Sequence, residues 1–149
     1  GLDFGFSKDP SCALLVSYDK KNKLIYVLKE TVLYSYTNDR LAEKLRIFAP
    51  GLNVFCDSAE PKSIAELRRL GIRACPVKKP KDAVRYSIQW LRQHTIVADS
   101  SLSSFPKEIA GFRYTDSDRI KANAGDHTID ALRYALNADM FLKQAVILK

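Results

Sequence analysis

The chain has 149 residues, 46% of them hydrophobic and 28% charged, which suits one compact domain with a buried core and argues against a disordered chain. Its 24 Lys and Arg exceed its 17 Asp and Glu, and the net charge of +7 favours an anionic partner, with nucleic acid as the first candidate. No apolar run approaches the ~18 residues of a membrane span, and the spacing of Cys12, Cys56 and Cys75 argues against a zinc site or a disulfide framework.

The N-terminal third is predicted to be rich in strands. Residues 1–6 and 12–18 have the composition of strands and are separated by a turn at 7–10, and a third strand is expected from Leu24 to about Tyr34. The chain opens inside the first of these strands, without an initiating Met and without the features of a signal peptide. We therefore expect it to be a piece of a longer polypeptide.

From residue 38 onward the apolar spacing alternates between helical and extended. In the third predicted helix, Val84, Ile88 and Leu91 are expected to face inward. The predicted order is a helix over 38–48, a strand over 53–57, a helix from Pro61 to Gly71, a strand over 72–77, a helix from Pro80 and a strand over 95–98.

The C-terminal part holds one strongly periodic segment. A helix is predicted from about His127 to Lys143, after a weakly periodic stretch with a short helix near 105–109 and a strand at 112–114. Three strands followed by alternating helices and strands predict an α/β domain, with a mixed central sheet flanked by helices on both faces. The sequence lacks G-x-x-x-x-G-K-S/T, so nothing in it indicates a P-loop ATPase.

Three aspartates stand out by their positions. Asp3 lies within the first predicted strand, Asp57 ends an apolar strand, and Asp130 lies beside the apolar stripe of the last helix. A buried carboxylate is costly unless a cation or hydrogen bonds compensate its charge, and three at one edge of a core would repel each other. Mg²⁺ or Mn²⁺ would supply the counter-charge, and two such ions about 4 Å apart could activate water against a phosphodiester.

Each of these acids also has a structural explanation. Asp57 could cap the following turn, Asp130 alone could be a solvated helix residue, and Asp126 fits an N-cap better than a metal ligand. Aspartate is disfavoured within a strand, so function explains Asp3 better. His127 projects on the same side of its helix as Asp130 and could bind a metal, relay protons or bond locally.

Basic residues around the acidic site are the candidates for contact with DNA phosphates. Lys78 and Lys79 rank first, because they follow a predicted strand next to the Asp57 unit, although a solvated surface is the alternative for any single one. Few groups are available to read bases, so little sequence specificity is expected. The other candidates are Lys62, Arg68, Arg69, Arg73, Lys81 and Arg85.

Three blocks of the sequence resemble motifs of phage terminase nuclease domains. GLDFGFSKDPSCA at 1–13 resembles the family's G-x-D-x-G…D-P-x-A opening, and DSAEPKSI at 57–64 is similar to its second acidic motif. HTIDALRYAL at 127–136 resembles its closing H-x-x-D-A-x-R-Y-A motif, and the blocks come in family order. Asp126 is a departure, because the family more often has a neutral polar residue there, and its role stays open.

This resemblance implies a ribonuclease H-like fold and a single nuclease domain over 1–149, without the N-terminal ATPase motor of a tailed-bacteriophage large terminase subunit. It implies an endonuclease that cuts double-stranded concatemeric viral DNA during genome packaging, with two Mg²⁺ or Mn²⁺ ions. Asp3, Asp57 and Asp130 would be the metal-binding acids, with His127 beside them. Asp3 is expected to bridge the ions, because it lies on the central first strand.

The partners implied are double-stranded DNA, the ATPase domain of the full-length chain, the small terminase subunit and the portal, in the host cytoplasm and without a membrane. Two other interpretations remain. One is a non-catalytic DNA-binding or assembly module of the same fold. The other is a nuclease of the Holliday-junction resolvase or integrase type, from which only the second and third blocks distinguish a terminase.

Overall fold

The structure is a computed structural model that describes residues 1–5, 8–112 and 125–141. Six strands form its centre: β1 (Leu2–Asp3), β2 (Ser11–Asp19), β3 (Leu24–Leu33), β4 (Asn53–Cys56), β5 (Arg73–Pro76) and β6 (Thr95–Ala98). They make one sheet in the order β5-β4-β1-β2-β3-β6. β1 is parallel to β4, β4 to β5 and β3 to β6, whereas β2 is antiparallel to both of its neighbours. The prediction of a mixed sheet is confirmed.

Helices cover both faces of this sheet, as predicted. One core joins Leu2 of β1 to Leu41 and Leu67, and the other contains Phe105 and Leu132. The first core therefore holds α1 and α2, and the second holds α4 and α5. The helices are α1 (Asn38–Phe48), α2 (Pro61–Arg69), α3 (Ala83–Leu91), α4 (Ser104–Gly111), α5 (His127–Ala135) and α6 (Asn137–Phe141).

The β2–β3 hairpin shows how the sequence fixes this layered arrangement. Successive side chains of a strand point to opposite faces, and Ala13 and Leu14 of β2 accordingly enter the two different cores. The connecting turn is held by the Asp19 carboxylate, which accepts hydrogen bonds from the backbone and side-chain nitrogens of Asn22. The hairpin thus contributes to both cores through one alternating pattern.

Several boundaries differ from the sequence prediction. Val84 is 39% exposed rather than buried, because the inward position of α3 is taken by Ser87. The predicted last helix is interrupted at Leu136, which separates α5 from α6. The strand expected at 112–114 falls mainly outside the described residues. In the described part of the chain, no helix is long and apolar enough to cross a membrane.

Two glycines allow backbones to approach closely around β1. A Cβ added at Gly1 would lie 1.8 Å from the carbonyl oxygen of Ala131, so α5 packs directly against the start of β1. A Cβ at Gly5 would lie 2.1 Å from the carbonyl oxygen of Asp9, where the chain folds back after the strand. The close approach of α5 brings its first turn over the end of β1.

Candidate functional site

The site lies where the parallel strands β1 and β4 end. Asp3 is the last residue of β1, and Asp57 follows β4 directly. Because the carboxyl ends of adjacent parallel strands meet at one edge of a sheet, these two acids are brought to the same region. Asp130 and His127 enter from the first turn of α5, which packs across β1.

Asp3 is the most buried of the acids and pairs with His127. Its residue is only 8% exposed, and its Oδ2 lies 3.1 Å from the Nδ1 of His127. Burial raises the pKa of Asp3 to about 7, and the negative charges of Asp130 and Asp57 add to that rise, against the hydrogen bond to His127. Burial would lower the pKa of His127, but its contacts with Asp3 outweigh that and raise it.

Asp57 is held by three donors. The Nζ of Lys79 forms an ion pair with its Oδ1, the backbone N–H of Ala59 donates to the same oxygen at 2.8 Å, and the hydroxyl of Tyr134 donates to its Oδ2 at 3.2 Å. Burial would raise the pKa of Asp57, but these donors, Lys79 first, bring it below its ordinary value. The bond from Ala59 shows that Asp57 does cap the following turn, while the other two contacts tie it to the site.

Asp130 pairs with an arginine one turn further along α5. The Nη1 of Arg133 contacts its Oδ1, and the Nε of the same guanidinium donates to the hydroxyl of Ser87 at 2.6 Å. Burial raises the pKa of Asp130, the charge of Arg133 opposes this, and the charge of Asp126 adds to it. Asp130 is therefore a partly buried, paired carboxylate rather than a fully solvated one.

Tyr134 is the common neighbour of the three aspartates. Only 4% of the residue is exposed. Burial raises the pKa of its hydroxyl, and the negative charges of Asp130, Asp57 and Asp3 raise it further. The three acids, far apart in the sequence, are thus close enough to Tyr134 for their charges to affect its hydroxyl.

The donor set suits a hard divalent cation in its chemistry, since carboxylate oxygens are the ligands that Mg²⁺ and Mn²⁺ prefer. The side chains, as placed, are not arranged as a metal cage: among the residues that the structure describes, no group of three His, Cys, Asp or Glu side chains could hold a metal ion. In this arrangement Lys79 pairs with Asp57 and Arg133 pairs with Asp130. Two side-chain cations thus compensate part of the acidic charge.

The structure adds a residue that sequence reasoning missed. Glu108 of α4 accepts hydrogen bonds from the backbone N–H of Thr128 at 2.8 Å and from its hydroxyl at 2.5 Å. It thereby caps the start of α5, next to His127. Asp126 occupies the N-cap position, but its side chain makes no capping hydrogen bond to a described residue. No local pattern could have identified Glu108, because it lies 20 residues from its partner.

Of the predicted DNA-contacting residues, Lys79 lies in the site itself. Lys62, Lys78, Arg68 and Arg69 are exposed around β4, β5 and α2. Arg68 donates from its Nε to the carbonyl of Ala74, and Arg69 forms a 3.5 Å ion pair within α2. Arg68 and Arg69 therefore have structural contacts of their own, and nothing in their positions tests the predicted contact with DNA.

Residues 3–138 match the family described as the terminase RNase H-like domain. The chain is 32% identical over 151 residues to the large terminase subunit of Bacillus phage SPP1, covering 94% of this chain and 36% of that protein. It is 30% identical over 145 residues to the PBSX phage terminase large subunit of Bacillus subtilis strain 168, covering 92% and 33%. The chain thus spans about a third of the length of these relatives.

Solved structures agree with this likeness. The large terminase nuclease domain of bacteriophage SPP1 with bound Mn superposes with a TM-score of 0.84 at 32% identity, covering 94% of this chain and 85% of that one. The nuclease domain of the P22 large terminase gives a TM-score of 0.75 at 13% identity, covering 94% and 79%. At 13% identity the second likeness concerns the fold alone.

Proposed function

The chain belongs to the family of terminase RNase H-like domains of phage large terminase subunits, and from this premise we propose that it is a metal-dependent endonuclease that cuts double-stranded DNA. The observation that carries the proposal is the gathering of Asp3, Asp57 and Asp130 around Tyr134 at the ends of β1 and β4. Like charges placed together in a half-buried site are stable only with cations among them.

In this proposal the three aspartates would hold two Mg²⁺ or Mn²⁺ ions, and Asp3, on the central first strand, would be the ligand shared by both. Bound ions of this kind act as Lewis acids and lower the pKa of bound water. His127 orients Asp3 through its Nδ1 and can hold or move a proton at its Nε2. Lys79 and Arg133 offset part of the charge of Asp57 and Asp130.

The likeness to large terminase subunits supports the remaining features of the proposal. The SPP1 nuclease domain, which is 32% identical in sequence to this chain, was solved with bound Mn. That likeness supports the use of a divalent metal here. We propose that residues 1–149 are one domain of a longer terminase, which works with an ATPase domain, the small terminase subunit and the portal in the host cytoplasm. Its substrate would be concatemeric viral DNA, cut with little sequence specificity during packaging.

A non-catalytic DNA-binding or assembly module is the second candidate. The pairing of Asp57 with Lys79 and of Asp130 with Arg133 favours it, because carboxylates that are already compensated have less need of a metal ion. A resolvase or integrase nuclease has no such support, since the family match is to terminases.

Plasmid cleavage in Mn²⁺ tests the proposal. Asp3→Ala is expected to slow cutting by more than the roughly 100-fold that follows the loss of a residue that only orients a metal ligand. Asp39→Ala is the control: it removes the same charge from the exposed first turn of α1 and leaves cutting unchanged. Equal cutting by the Asp3→Ala and wild-type chains would exclude the assigned site and favour the non-catalytic module.

A further inference from the structure

A second feature adjoins the acidic site. A cleft of about 350 Å³ opens between the end of β5, the start of α3 and the middle of α5. Its charged lining consists of three cations, Lys79, Arg85 and Arg133, and one anion, Asp82. We call it the basic cleft. It shares Lys79 and Arg133 with the acidic site, so the two features are in direct contact.

Arg133 makes one wall of the basic cleft rigid. Its side chain is 8% exposed and is fixed by two bonds, from Nε to the Ser87 hydroxyl and from Nη1 to Asp130. Arg133 is one of the residues that line the cleft. A guanidinium has five N–H donors, so those that Ser87 and Asp130 do not use can be donated to an anion without reordering the side chain.

The beginning of α3 forms another part of the lining. Ala83, Val84 and Arg85 form its first turn and line the cleft, which adds the partial positive charge of a helix N-terminus to the guanidinium of Arg85. Val84 is exposed there, although its apolar side chain was expected in the core. The wall is thus open to a ligand.

Among the described residues that line the basic cleft, Asp82 is the only acidic one. It has a left-handed backbone with a φ of 59° and makes no capping hydrogen bond to a described residue. An anion in the cleft would be attracted by Arg85, and by Lys79 and Arg133 in so far as Asp57 and Asp130 do not offset them, and repelled by the Asp82 carboxylate. Removing the charge of Arg85 should therefore weaken the binding of an anion, whereas removing the charge of Asp82 should strengthen it.

We propose that the basic cleft binds a phosphodiester group of the DNA backbone that neighbours the group held at the aspartates. This rests on the proposed function, because a DNA strand that reaches Asp57 and Asp130 passes Lys79 and Arg133. In this proposal the cations of the cleft contact a backbone phosphate, so the cleft positions the strand without selecting its sequence. Arg85 is then a positioning residue for substrate.

Fluorescence anisotropy of a labelled 20-base-pair duplex, in EDTA and at several salt concentrations, tests this without any cutting. Arg85→Ala is expected to reduce the slope of log K against log salt by about 0.9, the value for one duplex phosphate contact, or roughly 8-fold weaker binding at 0.1 M salt. Asp82→Asn is expected to tighten binding, and asparagine tolerates the left-handed backbone.

Lys44→Ala is the matched control, since it removes one positive charge from exposed α1 on the opposite face of the sheet. The proposal is overturned if Arg85→Ala and Lys44→Ala bind alike, or if Asp82→Asn does not tighten binding. A titration with inorganic phosphate, followed by the amide signals of Val84 and Arg85, locates the anion; signals that do not move also overturn it. Because no metal is present, failure here is distinct from the failure of Asp3→Ala to abolish cutting.

Discussion

Carboxylates have opposite roles in two regions of this molecule. Around the ends of β1 and β4, Asp3, Asp57 and Asp130 lie close together, and burial raises the pKa of Asp3 and Asp130. Around α4, Glu30 and Glu108 each accept hydrogen bonds from the start of a helix. The first region concentrates like charge, whereas the second disperses it over backbone donors.

The helix-capping region shows what a stabilised carboxylate looks like here. The Oε1 of Glu30 accepts from the backbone N–H of Ser103 at 2.6 Å and of Ser104 at 2.8 Å, and its Oε2 accepts from that of Phe105 at 2.8 Å. Burial would raise the pKa of Glu30, but these bonds lower it. The comparison teaches that this fold stabilises Glu30 with backbone amides. Asp3 and Asp130 instead face the side chains of His127 and Arg133.

The largest effect on stability is expected at Glu108. Glu108→Ala should lower the free energy of unfolding by about 3 kcal/mol, because it leaves the N–H and the hydroxyl of fully buried Thr128 without their acceptor. Urea denaturation measures this. Glu43→Ala, an exposed change on α1, is the control. If Glu108→Ala and Glu43→Ala lower the free energy of unfolding by the same small amount, Glu108 does not cap α5.

At Asp3 the expected effect has the opposite sign, because its replacement should raise the free energy of unfolding at pH 8. Its folded pKa of about 7 lies above the ordinary 3.8, so its protonation stabilises the fold fully below pH 3.8, and this contribution is lost as the pH rises through 7. At about 1.4 kcal/mol per pKa unit the cost at pH 8 is at most about 4 kcal/mol. Asp3→Asn in EDTA should recover only about 2 kcal/mol of this cost, because the variant also loses the charged bond to His127.

The Asp3→Asn test compares urea denaturation at pH 8 and pH 4. The gain in unfolding free energy is expected at pH 8 and should largely vanish at pH 4, where the wild-type carboxyl is already protonated. Asp39→Asn, on exposed α1, should show no gain at either pH. A variant of Asp3 that is less stable than the wild type at pH 8 would show that the site aspartates do not cost stability.

Glu30 offers a smaller change with the reverse dependence on pH. Its pKa is lowered from the ordinary 4.5, so its stabilisation is present above pH 4.5 and is lost as the pH falls through its folded pKa. Glu30→Gln should cost about 1 kcal/mol at pH 7, because the neutral amide caps α4 more weakly. Thermal unfolding at pH 7 and pH 3 measures it, and a cost that is equal at both would contradict the account.

The smallest effect is expected at Asp126. Asp126→Asn should change the free energy of unfolding by less than about 0.5 kcal/mol, because the cap of α5 comes from Glu108 and not from this side chain. Urea denaturation decides it. A loss of about 1 kcal/mol or more, typical of a removed N-cap, would mean that the capping role expected from the sequence is correct after all.

The sequence predicted most of the fold because its apolar periods are strong. α1 has the predicted bounds, and the other described strands and helices lie within a few residues of theirs. It also singled out Asp3, Asp57 and Asp130 as candidates, because an acid within or directly after an apolar strand, or beside the apolar stripe of a helix, is unusual there. These signals are local, so they are readable without coordinates.

The contacts that complete the site were not predictable in the same way. Glu30 and Glu108 act on partners up to 75 residues away, and Lys79 pairs with Asp57 across 22 residues. Val84 was expected in the core, but Ser87 lies inward instead, where its hydroxyl accepts a hydrogen bond from the Nε of Arg133. Periodicity assigns a face of a helix to the core, but it cannot foresee a buried polar partner on another element.

The central claim is that the three aspartates form one cation-binding site. Isothermal titration with Mn²⁺ tests it most directly. We expect saturable binding to the wild-type chain, its loss in both Asp3→Asn and Asp130→Asn, and its retention in Asp39→Asn. If the Asp3→Asn and Asp130→Asn chains bind Mn²⁺ with the affinity of the wild type, the aspartates do not form the metal site.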